Sequence, residues 1–340
     1  MPTRSRTRPE RSAAHAGPPP VACDVLVAGL GAHGAAAAWA LARRGLRVVG
    51  LDRYAPPHGF GSSHGESRII REAYYEDPVY VPLVRWAFEG WRALESVAGR
   101  PLFRRTGALM LGAESGAVVR GTLASARLHA LPHEVLCAGE VRRRWPALRV
   151  PDGLVGVYEP GAGVLFVEAC VRALHEAAAR AGAVLRPGEP LERWVVEGDV
   201  VEVATPVARY RAGALVLATG AWTAALVPEL PLEVERQVQY WFPVRGAAAA
   251  RAGLGAEYGP VHLWELPEGP LWYGVPDLGS GVKLALHHGG ERCAPETVRR
   301  EPSAEEAGDI VRLAASFLDG LAPAPARAAV CLYTNTPDGH

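Results

Sequence analysis

Four groups of residues in this sequence have the types and spacing to do chemistry. The first is Gly29-Leu30-Gly31-Ala32-His33-Gly34, a G-x-G-x-x-G run with Asp52 following 21 residues after Gly31. Glycines so spaced allow a tight turn, close approach of a pyrophosphate and close packing of a helix on a strand. The helix N-terminus favours phosphate charge, and the later carboxylate can hold a ribose hydroxyl pair. The pattern predicts a dinucleotide, FAD or NAD; Arg53 beside Asp52 suits either a 2′-phosphate or plain exposure to solvent. The second group is "SSHGESRIIR", which brings Ser63, His64, Arg68 and Arg71 together. Arginine is the planar bidentate donor for a carboxylate, although two arginines three apart also describe an ordinary salt-bridged helix face. The third is Lys283 in "GVKLALHH", a charge on an apolar strand that is costly to bury unless used, with His287 four residues on and so on the same strand face. The fourth is Cys331 in "AAVCLYTNTPDGH"; in isolation such a thiol reads as a small buried hydrophobe.

Definite elements must position these groups. "CDVLVAGLG", "HGAAAAWALARRG" and "LRVVGLD" read as strand, helix and strand, a βαβ unit with parallel strands. "RYAPPHGFGSSHGESRIIREAYYED" is too rich in Gly, Pro, Ser and His for a regular element. Val81, Val84, Phe88, Trp91 and Leu94 then share one helical face. Short strands and one helix are expected from about 100 to 165, a helix over "VEACVRALHEAAARAG", and a hairpin around Gly198-Asp199. "ALVLATGAW" is a buried strand running into glycine; "RQVQYWF", "GPLWYGVP" and "GVKLALHH" are β-rich, and a helix lies near 303–318. "RGAAAARAGLGA" is local bias, a surface loop or short helix.

Composition narrows the setting. The 340 residues suffice for about two domains, with 49% hydrophobic and 21% charged residues. Basic and acidic residues both number 36, which gives no reason to expect nucleic acid or an anionic membrane as partner. Five scattered cysteines point to a reducing compartment, no apolar run is long enough to span a membrane, and the Arg-rich opening lacks the apolar core of a secretory signal. A cytoplasmic protein with a disordered N-terminal tail is expected.

Taken together, "GLGAHG", "PPHGFGSSHGESRIIR", "GVLFVEAC", "ATGAW", "RQVQYWF", "GVKLALHH" and "RAAVCLYTNTPD" resemble, in collinear order from about residue 21 to the end, the monomeric sarcosine oxidase family of FAD-dependent amine oxidases. That resemblance implies an α/β fold, a Rossmann-like FAD-binding domain (21–107, 166–233 and 325–340, after a tail over 1–20) interleaved with a β-rich substrate domain (108–165 and 234–324). It implies FAD joined covalently through Cys331, a bond whose formation needs a thiolate and a nearby cation; Arg327 matches the family as well. Gly29, Gly31, Ala32, His33, Gly34, Asp52, Arg53, Ser63, His64, Arg68, Gly220 and Trp222 would hold the cofactor. Arg71 would grip a substrate carboxylate, Lys283 would activate dioxygen, and Arg68, His287 and Tyr273 would complete the catalytic group, Tyr273 also lining the substrate pocket. The activity implied is oxidation of a small N-methyl or cyclic amino acid to an imine, with dioxygen reduced to hydrogen peroxide, by a monomer. Chains of the resembled family continue for several dozen residues beyond the position of His340, which leads to an expectation of weakened FAD loading and turnover. A flavin dehydrogenase using another acceptor, and a truncated FAD-binding remnant without catalysis, are the alternatives.

Overall fold

The computed structural model describes residues 19–338; the tail expected over 1–20 lies outside them except for its last two residues. Among the described residues three sheets form. In the first, the strands Val21–Ala28, Val48–Asp52, Val184–Pro187 and Arg209–Leu217 run parallel, and the Arg193–Glu197/Val200–Ala204 hairpin extends the edge. This is the expected βαβ core. The Ala32–Ala42 helix buries Ala35, Ala38 and Ala42, whose small side chains let it lie close to the sheet and to the Val167–Arg180 helix.

The second sheet is built on the long Glu233–Phe242 strand. On one side it pairs with Val282–Leu286 and, beyond that, with Trp272–Val275, Val261–Trp264, Ala108–Ala113 and Leu154–Glu159. On the other it pairs along its length with Arg327–Asn335, so this last strand, assigned from sequence to the cofactor half, is hydrogen-bonded into the other sheet. Alternation fixes which face is which. Tyr240, Phe242, Val282 and Leu284 point down into a core with Ile310 and Ala314 of the Gly308–Phe317 helix and the stacked Trp264 and Trp272 rings. Each large apolar side chain so buried contributes roughly 1.5–3 kcal/mol, and a one-residue slip would turn Lys283 into that core. The register is therefore strongly held.

Two local expectations are corrected. "SRII" is a strand, Ser67–Ile70, paired with Gly163–Phe166 inside the stretch expected to be wholly irregular. Two helices, Ala117–Leu128 and Ala138–Arg144, occupy 100–165 where one was expected. The Gly198-Asp199 hairpin, the helix over Val81–Ala98 and the helix near 303–318 are where the pattern put them. No helix among the described residues is long and apolar enough to cross a membrane.

Candidate active site

The glycine turn is shaped by contacts that exclude side chains. Gly29 has φ +87°, and a Cβ there would sit 2.3 Å from the Ala218 carbonyl oxygen; one on Gly34 would sit 1.7 Å from Gly29 O. The Leu30 N–H donates to Asp52 Oδ2 (2.6 Å), the Tyr54 N–H to Asp52 Oδ1 (2.8 Å), and His175 Nε2 lies 2.7 Å from Leu30 O. Asp52 thus holds the turn as well as facing the cleft. Ser63 Oγ accepts the Ala32 N–H at the helix start (3.0 Å). Gly29, Gly31, Ala32, His33, Asp52, Arg53, Ser63, Gly220 and Trp222 all line one cavity of about 1300 Å³. Arg53 is exposed and lies 3.6 Å from Glu296.

A dinucleotide such as FAD fits this cleft. Gly29 and Gly31 present backbone without a Cβ to it, a helix N-terminus faces it, and buried Trp222 Nε1 and Thr334 Oγ1 in its wall have no hydrogen-bond partner among the described residues. Gly34 and His64 do not line this cavity: Gly34 packs against Gly29, and His64 is buried, where burial and the neighbouring Arg68 push its imidazole down to about 4.

A second cavity, of about 240 Å³, adjoins the first; Ser62, Tyr74, Glu76, His287, Leu332 and Tyr333 line both. Its floor follows from sheet register. Met110, Leu263, Tyr273, Ala285, Gln239 and Ala329 are successive cross-strand partners, so they share one face of six neighbouring strands. Lys283 and Cys331, two residues from this row on their strands, share that face. Polar residues at every second position of the Glu233–Phe242 strand (Glu235, Gln237, Gln239) mark the same face, a period-2 signal visible in the sequence.

Lys283 is 2% exposed and donates to Gly65 O (3.0 Å) and Ser67 O (2.8 Å). Burial, reinforced by the Arg68 charge, pulls its ammonium well below the ordinary lysine range, while Cys331, Glu168 and Glu66 oppose the shift. Arg68 reaches across the cavity: its guanidinium donates to the carbonyls of Ser62, His64 and Ser67, and Nη2 lies 3.9 Å from Cys331 Sγ. The cation beside the thiol is therefore Arg68, whereas Arg327 turns away to Glu66.

Arg71 is buried opposite the sheet, but its Nη2 already bonds both oxygens of Glu76 at 3.0 Å, and it stacks 4.2 Å over the Tyr74 ring. Sequence reasoning did not single out Glu76. The Arg71 loop is held by Glu159, whose carboxylate accepts the Glu72 and Ala73 N–H groups (2.8 and 3.0 Å). His287 lies just past the end of its strand, with Nδ1 3.2 Å from Tyr333 OH and its ring edge-on to Tyr273; burial lowers its imidazole to about 4. Burial raises the Tyr273 phenol to about 12 against the pull of Arg68. Three cations, Arg68, Arg71 and Lys283, and one carboxylate, Glu76, thus line a small pocket, an arrangement that suits an anionic ligand. No cluster of three or more His, Cys, Asp or Glu among the described residues could hold a metal ion.

A Gly-rich dinucleotide cleft opening beside a small cationic pocket over a mixed sheet suits a dinucleotide-dependent oxidoreductase. The FAD dependent oxidoreductase family matches residues 24–340, and the chain belongs to that family. It is 41% identical over 323 residues to the monomeric sarcosine oxidase of Streptomyces avermitilis, covering 93% of this chain and 83% of that one. Identity to the N-methyl-L-tryptophan oxidase of Citrobacter koseri is 35% over 319 residues, or 93% and 84% of the two chains. Among solved structures it resembles NikD, an unusual amino acid oxidase essential for nikkomycin biosynthesis, with TM-score 0.80 and 26% identity, covering 93% of this chain and 82% of that one.

Proposed function

We propose that the protein is an FAD-dependent oxidase of a small secondary amino acid, a sarcosine-like N-methyl or cyclic compound with a free carboxylate, and that it passes electrons to dioxygen with release of hydrogen peroxide. The observation that carries this reading is the composition of the small pocket: Tyr273, Gln239 and Lys283 on the sheet face, Arg71 on the opposite wall, and the dinucleotide cleft alongside. FAD, when bound, supplies the redox chemistry, taking two electrons from the C–H beside the amine nitrogen.

The chain's own residues do the rest. Arg71 binds the carboxylate; because Glu76 holds that guanidinium in the free pocket, the substrate shares or displaces a carboxylate already there, and binding energy is offset accordingly. Tyr273, Tyr333 and His287 form an aromatic wall that orients the amine and leaves space only for a small side chain. Lys283 in its protonated form supplies positive charge where dioxygen takes up electrons. Arg68 Nη2, 3.9 Å from the Cys331 sulfur, sets a cation beside the residue proposed to carry the flavin through a thioether. The two expected domains, 21–107 with 166–233 and 325–340, and 108–165 with 234–324, enter this reading as cofactor and substrate halves, with 325–340 reaching the cofactor through Cys331 although its strand pairs into the substrate-side sheet, and the protein acts as a monomer.

The test is a comparison of N-methylglycine with N-methylglycinamide by peroxide release. Losing a charge-assisted bond to Arg71 costs about 1.5–3 kcal/mol, so kcat/KM should fall by roughly 10 to 150-fold for the amide. Equal turnover of the two compounds would remove the carboxylate from the substrate class.

A further inference from the structure

Lys283 is the sole lysine in 340 residues that include 36 lysines plus arginines. A chain that uses arginine for every other cation has kept one compact, three-donor ammonium, and it is buried. Its surroundings are built by a single turn. Gly65 and Glu66 both have left-handed backbone, φ +93° and +67°, and for Glu66 that conformation is strained. The strain is overdetermined from two sides. Beneath the turn, Glu168 Oε1 accepts the N–H groups of Gly65 (2.8 Å) and Glu66 (3.1 Å). Above it, the Glu66 carboxylate accepts Trp241 Nε1 at one oxygen (3.0 Å) and Arg327 Nη2 at the other (2.6 Å).

Register explains why these groups meet. Lys283, Trp241 and Arg327 are direct partners across three adjacent antiparallel strands, so they form one row on one face. The Arg327 guanidinium lies 3.9 Å over the Trp241 ring. The 65–67 turn sits on this row: two of its carbonyls take the ammonium, and the carboxylate between them takes the two neighbours. Two of the three Nζ donors are committed to Gly65 O and Ser67 O, and Lys283 lines the small cavity.

We propose that Glu66 is a positioning residue for Lys283: its carboxylate, tied to Trp241 and Arg327, locks the strained turn whose carbonyls aim the ammonium into the pocket. The proposal rests on the oxygen-facing role given to Lys283 above, and its test does not depend on turnover. In holoprotein grown with ¹³C,¹⁵N-lysine, the one lysine gives one ε-methylene signal, and reductive methylation with ¹³C-formaldehyde followed by mass spectrometry reads its accessibility. Glu66→Ala should move that signal toward the free-lysine position and raise the methylation rate by roughly tenfold or more, because the turn opens locally. Glu66→Gln, which keeps an acceptor for Trp241, should lie between the two. Should Glu66→Ala not fold, Trp241→Phe and Arg327→Gln each remove one tether and should shift the signal in the same direction. A Lys283 signal and methylation rate unchanged in a folded Glu66→Ala protein, or in both tether variants, overturn the proposal. A shifted lysine in a protein that oxidises no amine would leave the positioning role standing and remove the proposed substrate class.

Discussion

At the scale of single residues, three side chains carry the proposed chemistry and each answers to its own measurement. Cys331 sits with Arg68 3.9 Å from its sulfur, so acid-precipitated protein is expected to retain its yellow colour and Cys331→Ala to release it to the supernatant. Colour wholly in the supernatant of the unmutated protein would contradict the thioether. Lys283→Met removes the buried charge with little change in length. Reoxidation of the reduced protein by dioxygen should slow by roughly 10² to 10³, the scale of one lost electrostatic contact at a reacting centre, while anaerobic reduction changes far less. Only protonated Lys283 performs that role, and burial with Arg68 lowers its pKa. The oxygen step should therefore weaken as pH rises through a range well below that of ordinary lysine. Glu76→Gln should leave Arg71 less firmly held and lower KM for the substrate with kcat nearly unchanged, since the competing carboxylate is gone. A raised KM would mean that Glu76 orients Arg71 rather than competing for it.

At the scale of elements, the glycine turn and the sheet do the positioning, and they differ in how openly the sequence displays them. The fold class, the βαβ unit, the 198–199 hairpin and the dinucleotide fingerprint rest on local signals: period-2 and period-3.6 patterns, and glycines where a Cβ cannot go. Gly34→Val should accordingly abolish FAD loading while the β-rich half stays folded, because its Cβ would meet Gly29 O at 1.7 Å; normal flavin content in that variant would contradict the cradle. Lys283 was legible as a charge on an apolar strand, a setting that such a residue avoids without a reason, whereas the role of Arg71 rested on the family resemblance. The Arg71–Glu76 pair and the Glu66 turn were not. One depends on how a loop folds back on itself, and the other on a register linking positions 66, 241, 283 and 327. His64 shows the converse limit, since its neighbours in sequence reach the cavity and it does not. The strand within "SRII" was hidden for a related reason, because its partner Gly163–Phe166 lies almost a hundred residues away.

At the scale of the whole molecule, the burial of imidazoles leaves an imprint on stability. His64 and His287 are lowered to about 4 and His262 to about 3, from an ordinary 6.5. The folded chain binds these protons less readily than the unfolded one, so stability is complete above the unfolded value and is lost as pH falls from about 6.5 toward 4. Each such proton tilts stability by about 1.4 kcal/mol per pH unit within that window. Melting temperature should drop steeply between pH 7 and pH 4.5, and His64→Asn should flatten part of the slope; a flat profile would mean that these imidazoles are not held neutral. The most direct test of the oxidase assignment separates its two half-reactions. Purified holoprotein is mixed anaerobically with N-methylglycine or a cyclic imino acid while the flavin absorbance is followed, and air is then admitted. The account predicts bleaching by substrate alone, then recovery of the colour with one hydrogen peroxide released per flavin. Bleaching without peroxide on aeration would contradict the oxidase and leave a dehydrogenase, and no bleaching by any small secondary amino acid would contradict the function proposed for the site.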